Sequence, residues 1–145
     1  MDVREIQSSD TGSAFLAMKE LRTHLADEAS FVRRVDEVQR PEGYRLAGAF
    51  DREEPAVAAA VAGFRVGHNL ADGHYLYVDD LATRPEFRRR GLGTALLVWL
   101  AREAGRLGCD HLSLDSAVGP QRADAHRLYL NAGLTITAHH FERTL

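Results

Sequence analysis

Tyr75–Leu107 reads YLYVDDLATRPEFRRRGLGTALLVWLAREAGRL, and the order of its parts decides the fold. Val78–Thr83 has strand character, and Pro85 cannot continue a paired central strand. From Leu92 onward, Leu92, Leu96, Trp99, Leu100 and Leu107 recur at helical spacing, while Arg102, Glu103 and Arg106 fill polar positions. The unit is strand, basic glycine turn, helix. Such a turn leaves backbone N–H groups free at a helix N-terminus, where the helix dipole also favours an anion. Gly91 and Gly93 carry no side chain that would keep a phosphate from the backbone. The stretch reads as a pyrophosphate cradle.

Working outward, Val3–Gln7 is a short strand candidate, and Ser8-Ser9-Asp10 caps a helix over about Thr11–Ala26. A second helix is expected over Ser30–Gln39, stopped by Pro41-Glu42-Gly43. Tyr44–Phe50 and the alanine-rich Ala56–Val66 read as strands, and His68–Gly73 as a turn. After the long helix, Gly108 is a C-terminal cap and His111–Ser116 a short strand. A last helix over Arg122–Asn131 ends at Gly133, and Thr135–Thr144 is expected to form one strand or a pair. Three consecutive strands imply an antiparallel meander, and the later strand–helix–strand units imply parallel pairing. The fold class is therefore α/β of the α+β kind: a mixed, mostly antiparallel sheet of six to seven strands with about four helices.

The 145 residues suit one domain, and 45% apolar content is ordinary for a soluble chain. A net charge of -3 gives no support for a nucleic-acid partner. Lys19 is the only lysine, so arginine is this chain's default cation, and the Arg88-Arg89-Arg90 run has a solvated-face reading beside the phosphate one. With Cys109 as the single cysteine there is no internal disulfide and no cysteine metal cluster. The absence of a spanning apolar run or a signal-peptide pattern leads to the expectation of a cytoplasmic protein without a membrane partner. Homodimerisation is left open.

Leu81-x-Thr83-x-Pro85-x-x-Arg88-x-x-Gly91-x-Gly93 resembles motif A of the GNAT superfamily of acetyl-CoA-dependent N-acetyltransferases. Downstream, Ala125-His126-Arg127-Leu128-Tyr129-Leu130-Asn131-Ala132-Gly133-Leu134 resembles its motif B, a tyrosine four residues before a glycine. The resemblance implies a splayed sheet, with acetyl-CoA entering between the strand ending near Thr83 and that at His111–Ser116. It places Leu81, Ala82 and Thr83 along the pantetheine arm as an added strand, with a bulge freeing an amide near Leu81. It sets the backbone of Arg88, Arg89, Arg90, Gly91, Leu92, Gly93 and Thr94 on the pyrophosphate, and Ala125 beside the cofactor. Arg88 stands where glutamine is often found. Arg122 stands where the family often has asparagine at a pantetheine or phosphate contact, and as a cation it is expected to reach a phosphate.

Alone, Tyr129 reads as a packed helix tyrosine; within motif B it reads as the acid that protonates the departing coenzyme A thiolate. The other requirement is a carboxylate, direct or through water, to take the proton of the ammonium acceptor. Asp79 and Asp80 rank level and Asp115 third. A regular strand sends Asp79 and Asp80 to opposite faces, so one should face the cleft while the other is structural, unless the bulge alters parity. His126 shares a helix face with Tyr129, and only one of His139 and His140 can face the cleft. No metal is expected, since no His-x-x-x-His or cysteine pair is present. Cys109 has no neighbour to activate it, which favours direct transfer over an acyl-enzyme.

The acceptor is expected to be a small amine rather than a protein, with Asp27, Glu28, Asp36 and Glu37 available to attract a cation. A protein N-terminal or lysine acetyltransferase and a non-catalytic coenzyme A-binding module are the alternatives. A P-loop enzyme is excluded, because Arg88–Thr94 lacks the Gly-Lys-Ser/Thr ending.

Overall fold

The computed structural model describes residues 1–145. Strand β1 (Asp2–Ile6) leads through a 3-10 segment, Ser8–Ala14, into helices α1 (Phe15–Leu21) and α2 (Glu28–Arg34). Strands β2 (Arg45–Phe50), β3 (Ala58–Asn69) and β4 (Gly73–Thr83) follow, then α3 (Leu92–Leu107), β5 (His111–Leu114) and α4 (Ala123–Asn131). The sheet order is β1-β2-β3-β4-β5. The first three pairings are antiparallel and the β4–β5 pairing is parallel, which is the expected mixed sheet.

Both faces of this sheet are covered. One core cluster joins α3 to the strands through Leu92, Leu96, Leu97 and Leu100 against Phe64, Leu76 and Val78. The other joins α1 and α2 through Phe15, Met18, Phe31 and Val35 to Leu46, Val61 and Ala82. Central strand β3 therefore buries every side chain from Ala58 to Phe64, which explains its unbroken apolar run and its small residues.

Three expectations are corrected. The helix expected over Thr11–Ala26 begins as a 3-10 segment and ends at Leu21. Arg22 leaves helical geometry at φ -102° and ψ 74°, and its guanidinium crosses to β4, a tertiary pairing that local propensity does not register. The second helix starts earlier, at Glu28, because Asp27 accepts from the Ser30 N–H as its N-cap, and it runs on through a π turn at Val35–Gln39. Finally, the sheet has five strands rather than six to seven. No strand forms over Thr135–Thr144, where Ile136 is 81% and Phe141 90% exposed. β-branched and aromatic residues favour a strand only where a packed surface receives them, and this segment lies against none.

Candidate active site

The decisive irregularity is in β4. Phe64 of β3 pairs with Val78 but Gly63 pairs with Asp80, so Asp79 is an extra residue, a β-bulge. The inserted residue reverses the facing of everything after it. Asp80 and Ala82 join Val61 on the α1/α2 side, and Asp79 reaches the same side, where it meets Arg65. Both carboxylates thus share one face. The bulge expected in this strand alters the parity of a regular one, so the opposite facing of Asp79 and Asp80 does not hold.

Each carboxylate is held. Asp80 accepts from the Arg22 Nε at 2.7 Å and from the Tyr44 hydroxyl at 2.7 Å. Asp79 takes a two-pronged contact from Arg65, at 2.7 and 2.9 Å. Tyr44 is 4% exposed, and desolvation, with the Asp80 charge, pushes its phenol well above the ordinary value. Its hydroxyl fits because position 63 is glycine: a Cβ there would lie 1.8 Å from that oxygen. Arg22, Tyr44, Gly63 and Arg65 surround the two carboxylates and were not singled out in the sequence. Gly63, alone in an alanine run, was the available signal.

Strand β5 pairs with β4 only from Tyr75 to Val78. From Asp79 to Thr83 the β4 edge on that side has no partner strand, so the segment with Leu81, Ala82 and Thr83 offers backbone groups to an extended ligand. This is the splay expected between the two strands. Beyond it, Arg89 (φ 61°) and Gly91 (φ 77°) take left-handed conformations that turn the chain into α3. No side chain caps α3, and the space around Gly91 is open, so the first amides of a sixteen-residue helix stay available. Gly93 has a different purpose, since a Cβ there would meet Leu128 of α4 at 2.8 Å. Arg88 and Arg89 are exposed without carboxylate partners, and Arg90 lies over the Phe87 ring.

Tyr129, on α4, packs against the α3 core cluster while lining a recess of about 270 Å³. Burial pushes its phenol up, and the Arg122 charge opposes this. Asp79, Asp80, Leu81, Asp115 and Arg122 line the same recess, whereas the Arg88–Thr94 turn does not. A second recess of about 440 Å³ lies under α1 and α2, lined by Arg22, Arg34, Tyr44 and Arg65, and shares Arg22, Asp79 and Asp80 with the first. The two spaces meet at the bulge.

The remaining candidates fall away from this seam or to its rim. Asp115 is exposed, 2.8 Å from His140 Nδ1. His126 lies 2.9 Å from the Ala117 carbonyl and 3.1 Å from Ser116 Oγ, so it ties down the loop after β5. His139 is exposed, and burial pushes the Cys109 thiol up, the wrong direction for a nucleophile. Asp27 is spent as a helix cap and Asp36 on Thr11 and Arg40. Neither these two nor Glu28 and Glu37 line either recess, so an acidic entrance formed by those four is corrected. No group of three or more His, Cys, Asp or Glu side chains is placed to hold a metal ion.

Comparison with known proteins matches this fold. An acetyltransferase from Trypanosoma brucei superposes with a TM-score of 0.79 at 18% identity, covering 99% of both chains. Glucosamine-6-phosphate N-acetyltransferase from Arabidopsis thaliana gives 0.76 at 17% identity, over 99% of this chain and 97% of that one. An aminoglycoside N-acetyltransferase in complex with coenzyme A gives 0.80 at 18% identity, over 99% and 93%. No curated protein sequence matches. These likenesses show the fold. The family model described as the acetyltransferase (GNAT) family matches residues 3–134, nearly the whole chain, and with it the protein is an acyltransferase belonging to the GNAT family.

Proposed function

We propose that the protein moves the acetyl group of acetyl-CoA to the primary amine of a small molecule by direct attack in a ternary complex. The observation that carries this is the meeting of two recesses at Asp79 and Asp80, one holding Tyr129 and the other opening under α1 and α2. A base and an acid thereby face one reaction point from two sides.

The residues present fit acetyl-CoA. The unpaired β4 edge at Leu81–Thr83 suits the pantetheine amides, and the uncapped start of α3, with Arg88 and Arg89, suits the pyrophosphate. When bound, acetyl-CoA supplies an activated thioester and a thiol leaving group. Asp79 and Asp80, fixed by Arg65, Arg22 and Tyr44, draw the proton from the acceptor ammonium, directly or through water. Each carboxylate oxygen keeps a lone pair beyond its arginine or tyrosine contact. Tyr129 delivers the proton to the leaving sulfur, and burial keeps its phenol protonated at neutral pH.

The larger recess has the size of a small-molecule site. Arg22, Arg34 and Arg65 line it together with Glu42, Asp79 and Asp80, and Arg34 has no carboxylate partner, so the recess offers acids to an ammonium and one free guanidinium to a carboxylate or phosphate on the same molecule. That the neighbours include enzymes named for glucosamine-6-phosphate and aminoglycosides supports a small acceptor. A panel of amino acids, amino sugar phosphates, polyamines and peptides, followed by free-thiol release, tests the reading. Turnover should be highest with an amine bearing an acidic group. Turnover confined to peptides would overturn the small-amine assignment.

A further inference from the structure

The chain holds many arginines, and nearly all of those withdrawn from solvent are neutralised. Arg40 pairs with Asp36, Arg45 with Glu5 and Glu103, and Arg84 with Glu54 and Glu86. Arg33, Arg34, Arg52, Arg88, Arg89, Arg90, Arg102 and Arg143 have no carboxylate partner, but each is exposed. Arg122 breaks the pattern. It is partly withdrawn from solvent, forms no ion pair, and has a buried Nε without a hydrogen-bond partner. Its hydrogen bond to Ser116 is a long one, 3.4 Å from Nη2 to Oγ, and its guanidinium also reaches the Tyr129 hydroxyl. A buried guanidinium nitrogen left unpaired is costly, and structures rarely keep one without a use.

Its place supplies the use. Arg122 stands at the start of α4, seven residues before Tyr129, and both line the smaller recess, away from the Arg88–Thr94 turn. We propose that Arg122 is a catalytic residue whose guanidinium stabilises the thiolate of coenzyme A at the point where Tyr129 protonates it. The inference rests on the acetyl-CoA reading above. As the acceptor nitrogen bonds to the acetyl carbon, the carbon–sulfur bond breaks and its electron pair leaves with sulfur. Negative charge gathers there until the Tyr129 proton arrives, and solvent reprotonates the tyrosinate. The acceptor nitrogen sheds two protons, one as the ammonium and one after it bonds to the acetyl carbon; the carboxylates take them in turn and pass them to solvent. A fixed, permanently charged and weakly hydrated cation beside sulfur lowers the cost of that charge without having to reorganise.

The charges facing this point are otherwise occupied. On β4, Asp79 is held by Arg65 and Asp80 by Arg22 from the end of α1; Asp115, after β5, lies against His140. On α4, His126 contacts Ser116 and the Ala117 carbonyl, and Tyr129 is an uncharged donor. Arg122 is the uncompensated charge. The same proximity appears in the opposition of its positive charge to the burial effect on Tyr129.

Thiolate absorbance in the ultraviolet gives the thiol pKa of coenzyme A bound to the protein, without turnover. Wild type should hold the bound thiol about one unit below the free thiol, Arg122→Gln should raise it by about one unit, and Arg122→Lys should restore much of the difference, one unit being a tenfold change in thiolate preference. Desulfo-coenzyme A, which lacks the sulfur, should bind wild type and Arg122→Gln within about twofold, which also reports an intact fold. An unchanged thiol pKa in Arg122→Gln overturns the inference, as does an equal loss of affinity for coenzyme A and its desulfo form, which would make Arg122 a contact to pantetheine or phosphate. If wild type binds neither ligand, the acetyl-CoA reading itself fails, a result distinct from both.

Discussion

Gly63, Tyr44 and Asp80 show how far single atoms determine this site. A methyl group at position 63 would drive into the Tyr44 hydroxyl, which could clear it only by leaving Asp80. Gly63→Ala should therefore cost about 1–3 kcal/mol, read from a urea midpoint, and should release Asp80 from its donor. Tyr44→Phe removes only the donor. It should keep most of the stability but lower kcat several-fold, with KM for acetyl-CoA unchanged, because the carboxylate loses one of its two anchors. Equal kcat in Tyr44→Phe would show that the hydrogen bond serves packing alone. At this scale the sequence was legible where a motif names a position, as with Tyr129 on the smaller recess and Gly91 at the start of α3. It was silent where a residue acts through a distant partner. Arg22 and Tyr44 reach Asp80 across 58 and 36 positions, and no local pattern connects them.

Among the elements, β4 and its neighbours shape the site. The stretch Tyr75–Leu107 announced strand, turn and helix, and α3 runs from Leu92 to Leu107 as expected because glycines with positive φ, Gly91 and Gly108, end it on both sides. The bulge came only with the family resemblance, and its position has no such mark. Val78-Asp79-Asp80-Leu81 is compatible with a regular strand, and only the pairing with β3 shows that Asp79 is the extra residue. The C-terminal strand failed for a related reason, since its β-rich composition says nothing of whether a packed surface receives it. The α3 turn yields a separate prediction. Gly91→Val forces a branched side chain into φ 77° and should destabilise the fold by about 1–2 kcal/mol. It should also raise KM for acetyl-CoA more than tenfold while kcat at saturation changes little, because the cradle binds but does not react. A fall in kcat with constant KM would contradict the cradle.

For the whole molecule, two linkages are measurable. Burial pushes up the phenols of Tyr44 and Tyr77, the latter to about 12, with Asp115 adding to the effect on Tyr77. In the unfolded chain a phenol ionises near ~10. A folded value above the unfolded one means the contribution is fully present below ~10 and is lost as pH rises through the folded value. Stability should therefore fall between about pH 10 and 12, and Tyr77→Phe should flatten part of that fall in urea titrations at stepped pH. The second linkage is ligand binding. At a concentration of one hundred Kd, acetyl-CoA should add about 2.7 kcal/mol, raising Tm by roughly 10 °C. The most direct measurement is acetyl-CoA-dependent thiol release with a reactive small amine, comparing wild type with Tyr129→Phe at saturating acetyl-CoA. In Tyr129→Phe, kcat should fall by about 10² or more, with acetyl-CoA affinity held within about twofold. Equal kcat in the two proteins would contradict Tyr129 as the acid.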